Sequence, residues 1–248
     1  MGETKVRTAS RLARLAASLF AGWALACVAT PVQAASSSEL NALVQDTQQM
    51  NQEAGNMTLV WWLPEQFWAA SMAMNPGITQ AQIEELLKII RPYTMIAVVD
   101  GKMGAFGGVT FKSDEVVRSS VLLRDAKGES YAPLPESAIS PDAKNLLQML
   151  KPIIGNMLGP MGENMHFLMF PAVDKKGAPL ADPLHEGVLQ VDVAEKSFRY
   201  RLPLGSVLPA KYDAATRERF PGNYNFNPYT GDKLTTTPPA AAAAPAAK

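Results

Sequence analysis

Thiols are almost absent from this chain. Its 248 residues include one cysteine, Cys27, which falls inside an N-terminal leader. Once the leader is removed, no disulfide, thiolate zinc site or cysteine nucleophile can form. Histidine is nearly as scarce, with only His166 and His185. A Ser-His-Asp triad would have to use one of them, and nothing in the sequence places a serine near either. The motifs H-E-x-x-H, G-x-S-x-G, S-x-x-K, the P-loop and G-x-G-x-x-G do not occur. Excess charge is missing too: 23 basic residues balance 23 acidic ones, which argues against nucleic acid as a partner. Outside the leader, no uncharged apolar run approaches the ~20 residues of a membrane-spanning helix.

The leader is the most informative segment present. Lys5, Arg7, Arg11 and Arg14 form a basic start, Leu15 to Ala29 is apolar, and Pro31 precedes Val32-Gln33-Ala34. That order reads as a signal peptide over residues 1–34, cut after Ala34. A lipid anchor through Cys27 is the lesser alternative, because Leu25 stands one place off the lipoprotein spacing. Cutting 34 residues from 248 leaves 214, with 19 basic and 22 acidic side chains. A thiol-free exported chain of this length suits a bacterial periplasm or the exterior. It is long enough to bury a core without metal or disulfide.

The expected fold is α+β: an antiparallel or mixed sheet with helices mainly on one face, in a single domain over 38–234. Ser36 and Glu39 have capping-box spacing, and apolar periodicity predicts a helix over 38–52. Thr58–Leu63 reads as a strand and Pro64–Met74 as a helix. Thr79 and Gln82 form a capping box for a helix over 80–91, with Glu84 and Lys88 as an i,i+4 pair. Asp100-Gly101 is the strongest hairpin signal, joining strands 94–99 and 102–111. Val116–Arg124 reads as a strand. Ser140-Pro141-Asp142 starts a helix that Pro152 kinks or ends. Met165–Phe170 suits a strand covered on both faces. In a hairpin over 188–202 with its tip at Glu195-Lys196, Val193 would face Phe198 and Asp192 would face Arg199. Residues 235–248 are a Pro/Ala tail with little capacity to pack.

Candidate binding residues are aromatic. Trp61, Trp62 and Trp68 fall within eight positions, with Phe67 beside Trp68. Adjacent strand residues point to opposite faces, so one indole would meet a helix, a partner or a ligand. Alternatively, both rings pack on a sheet covered on both sides. A second cluster, Tyr224, Phe226 and Tyr229 with Phe220, alternates with Asn223, Asn225 and Asn227. It reads as a recognition loop or as a strap closing the core. Met157, Met161, Met165 and Met169 flank His166, but Gly159, Pro160 and Gly162 break the helix that would align them for copper. No cofactor or metal is expected. The favoured reading is an envelope protein binding a protein partner or glycan without catalysis. The alternatives are a periplasmic hydrolase, using a carboxylate pair or a histidine-assisted site, and a structural accessory protein.

Overall fold

The computed structural model describes residues 37–53 and 55–238. The leader, Cys27 and the tail beyond Pro238 lie outside the described residues. Helix α1 (Ser37–Thr47) runs into strand β1 (Gln48–Glu53), which turns back as β2 (Asn56–Trp62). Helices α2 (Glu65–Ala73) and α3 (Gln80–Ile90) follow, then the long β3 (Tyr93–Met103) and short β4 (Val109–Phe111). Next come α4 (Asp114–Ser120), β5 (Val121–Arg124) and β6 (Ser130–Tyr131). Helices α5 (Pro141–Leu158) and α6 (Pro160–Glu163) precede β7 (His166–Pro171) and the hairpin β8 (Gly187–Val193) and β9 (Lys196–Leu202). A small ribbon, β10 (Lys211–Tyr212) and β11 (Arg219–Phe220), comes last. The described residues belong to one compact unit.

All strand pairs are antiparallel. The first sheet runs β1-β2-β3, and β4 and β7 lie end to end along the far edge of β3. The second sheet runs β6-β5-β8-β9. The fold is therefore α+β, with two principal sheets where one was expected. One face of the first sheet, including Val60, Trp62, Ile96, Val98, Leu168 and Phe170, packs on Val121, Leu123, Leu189, Val191, Phe198 and Tyr200 of the second. The opposite face, including Leu59, Met95, Ala97 and Met169, packs on Trp68 of α2, Ile83 and Leu87 of α3, and Ala143 and Leu146 of α5. Each fully buried aliphatic chain in these layers contributes ~1.5–3 kcal/mol relative to exposure.

Polar groups seal the inter-sheet layer. Tyr200 donates its hydroxyl to the Val60 carbonyl at 3.1 Å, and burial pushes its phenol well above the ordinary range. Thr58 Oγ1 donates to Asp100 at 2.9 Å and accepts from Lys196 Nζ at 2.9 Å. Lys112 Nζ reaches the other Asp100 oxygen at 2.6 Å. A buried carboxylate is tolerable because these donors occupy both of its oxygens.

That network explains the largest departure from expectation. Asp100-Gly101 is no turn, because β3 runs through it to Met103. Asp100 is tied into the core, and a Cβ on Gly101 would stand 2.9 Å from Val109 Cγ1 and 3.1 Å from the Thr110 carbonyl. Glycine is there for close approach, and the reversal falls at Gly104–Gly108, where Gly107 has φ +85°. Three further segments differ. The helix expected over 38–52 ends at Thr47, because residues 48–53 pair with β2. The strand expected over 116–124 is helical until Ser120. Pro152 lies within α5 without ending it.

The capping box of Thr79 and Gln82 is present, as is the Ser140 cap, whose hydroxyl accepts from Ala143 N. Lys88 pairs with Glu85, while Glu84 turns to Arg91. The second hairpin turns one residue earlier than expected, so Val193 faces Lys196 and Val191 faces Phe198. This shifts each pairing by two residues and leaves the same side chains inward. Asp192 finds Arg124 Nε at 2.6 Å on β5, in place of Arg199.

Candidate functional site

The six aromatic residues singled out by sequence separate into two groups. Trp62 is 2% exposed and meets Tyr200 edge-on at 5.9 Å between the sheets. Trp61, on the opposite face, packs edge-on against Phe67 at 5.1 Å and donates its indole N–H to Thr47 Oγ1 at 3.3 Å. Trp68 is buried beneath α2, edge-on to Phe67 at 5.4 Å. These rings are mainly core, because the first sheet is covered on both faces. Tyr224, Phe226 and Tyr229 are different, with exposures of 41%, 59% and 81%. Among the described residues, no ring contact joins the two groups.

The exposed rings stand on a pinned loop. Buried Asn227 donates to Asp213 Oδ2 at 2.7 Å and accepts from Tyr229 N at 2.9 Å. Asp213 also accepts from Ala215 N and Thr216 N, both at 2.8 Å. The Asn227 amide and these N–H groups hold its carboxyl below the usual range despite desolvation. Tyr212 and Thr235 exchange backbone bonds of 2.7 and 2.9 Å, and Lys211 Nζ holds Asn225 Oδ1 at 2.7 Å. Phe220 stacks on Tyr224 at 6.4 Å. Gly222 brings this loop against the preceding segment, since a Cβ there would meet Leu208 Cβ at 2.4 Å and the Pro209 carbonyl at 2.5 Å.

Beside this loop lies a cleft of about 310 Å³, walled by α1 and the 205–221 segment. Gln45, Asp46, Arg219 and Phe220 line it, and Asp46 accepts from Ser206 N at 2.8 Å. The Ser206 hydroxyl is buried there without a partner.

A larger cleft of about 380 Å³ opens where the end of β2, the start of α2 and the start of β3 meet the 179–183 loop. Trp62 and Trp68 belong to its wall, with Glu65, Gln66, Arg91, Tyr93 and Asp182. Arg91 donates to Glu65 Oε1 from Nε (2.9 Å) and Nη2 (2.7 Å), and to Glu84 as well. Burial raises the Asp182 carboxyl, but bonds from Leu184 N and the His185 ring outweigh it and hold it below the usual range. Sequence reasoning missed Glu65, Gln66, Arg91, Tyr93 and Asp182. They come from segments far apart in the chain, and no local signal joins them.

His166 Nδ1 lies 3.1 Å from an Asp114 carboxylate oxygen and Nε2 lies 3.1 Å from the Lys112 carbonyl, so both nitrogens face acceptors. His185 is exposed, with Nδ1 at 2.8 Å from Asp182. Among the described residues, no three His, Cys, Asp or Glu side chains cluster as metal ligands, and no helix is long and apolar enough to cross a membrane. Compared with known proteins, the chain matches no family model, no curated sequence and no solved structure.

Proposed function

We propose that this is an exported envelope protein that binds a glycan without catalysis, through Tyr224, Phe226 and Tyr229 and the cleft beside them. The observation that carries the reading is the contrast within the loop: three exposed rings stand on a backbone held by the buried Asn227–Asp213 pair. Such preorganisation lowers the entropy lost on binding. Flat rings suit the apolar faces of sugars, and the side chains of Gln45, Asp46, Asn223 and Arg219 suit hydroxyls. The leader over residues 1–34 supports export, and a periplasm or cell exterior is rich in glycan.

The hydrolase reading draws on the larger cleft, where Glu65 and Asp182 both form part of the wall. A general acid must keep its proton at working pH. Asp182 is held as an anion by its hydrogen bonds, so it suits holding a ligand better than protonating a leaving group.

The test is sedimentation of purified protein with insoluble cell-wall glycan. Replacing Tyr224, Phe226 and Tyr229 together by Ala is expected to weaken binding ~100-fold or more, because each of the three rings contributes ~1 kcal/mol or more. Equal binding by parent and variant overturns the loop assignment. Retention on an envelope protein but on no glycan replaces the glycan with a protein partner. Recovery of the chain from the cell interior with residues 1–34 intact overturns export.

A further inference from the structure

We infer that the larger cleft, at the sheet's end, is a separate site for a small polyhydroxylated cation of the amino-sugar class. Its charge comes first. Arg91 is the cation of the wall, and it is answered twice, by Glu65 and by Glu84. Asp182 adds a further carboxylate that its hydrogen bonds keep ionised. Three carboxylates, Glu65, Glu84 and Asp182, meet Arg91 and the His185 ring, so negative charge is in excess even with that ring protonated, and an anion would meet net repulsion. The Arg91 bonds to Glu65 both fall on Oε1, which leaves Oε2 for a ligand.

Unanswered polar atoms come second. The Trp68 indole N–H and the Gln66 side-chain oxygen Oε1 are buried without hydrogen-bond partners. Trp68 is only 6% exposed, and both residues belong to the wall of the cleft. A buried donor or acceptor left unpaired costs ~1–3 kcal/mol, so a native fold keeps few of them without reason. One needs an acceptor and the other a donor, and a hydroxyl supplies both. A volume of about 380 Å³ limits the occupant to a small molecule. An ammonium for Glu65 and Asp182 and hydroxyls for Trp68 and Gln66 describe an amino sugar.

The inference stands apart from the aromatic loop and needs no binding there. Calorimetric titration of the full chain with D-glucosamine and with D-glucose isolates the charge, since the two differ by one ammonium. D-Glucosamine is expected to bind at least ~10-fold more tightly. Asp182→Asn and Glu65→Gln should each remove most of that preference, while Trp68→Phe should weaken both sugars several-fold. The Tyr224/Phe226/Tyr229 triple variant should leave glucosamine affinity unchanged. Thermal unfolding of each variant separates lost binding from lost folding. Equal affinity for the two sugars overturns the charge argument, and binding of neither overturns the site. Loss of glucosamine binding in the triple variant would show that the loop and not the cleft is responsible.

Discussion

Toward the second sheet, the first sheet presents Val60, Trp62, Ile96, Val98, Leu168 and Phe170; toward the helices it presents Met57, Leu59, Met95, Ala97 and Met169. The first set is β-branched and aromatic apart from Leu168, and side chains of that kind have few rotamers. It is also cross-tied, by Tyr200 to the Val60 carbonyl, Lys196 to Thr58, and Gln49 to the Arg199 carbonyl. The second set is rich in methionine, which fills irregular gaps and tolerates displacement. The helix side also holds Trp68, whose indole N–H lacks a partner. One face is cross-tied to the second sheet, and the other packs on helices through side chains that tolerate displacement.

Three substitutions probe that division. Trp62→Ala attacks the stiff face and is expected to cost ~3–5 kcal/mol in equilibrium urea unfolding. A loss below ~1 kcal/mol would show that this face relaxes as readily as the other. Tyr200→Phe removes one buried hydroxyl and its bond to Val60, and should cost ~1–3 kcal/mol by the same measurement. No change would make the cross-tie dispensable and place the whole difference in packing. Met169→Leu, on the helix side, conserves volume and should cost less than ~1 kcal/mol. A larger penalty would mean that the methionine face is as tightly specified as its opposite.

Local chemistry announced several elements. The Thr79/Gln82 box, the Ser140-Pro141 start and the apolar run of β2 each act within a few residues, and each could be read directly. What could not be read depends on distant partners. Asp100-Gly101 has the chemistry of a turn, yet Thr58 and Lys112 claim the carboxylate and Val109 crowds the glycine. Residues 116–120 alternate like a strand but fold as helix, with Val117 N–H donating to the Ser113 carbonyl to close the first turn. The inward face of the second hairpin was legible because a two-residue slip preserves it, whereas the sheet it joins was not. For the site, the aromatic loop was visible as composition. The larger cleft was invisible, because residues near 65, 91 and 182 meet only after folding.

The far edge of the first sheet is divided between β4, three residues long, and β7, six residues long. Short edge strands are poor templates for a foreign strand. The opposite border, β1, is continuous over six residues and reads Gln-Gln-Met-Asn-Gln-Glu. Self-association by strand addition to this sheet should therefore begin at β1, where amide side chains can ladder between copies. A single lysine introduced there is the economical way to suppress aggregation during purification.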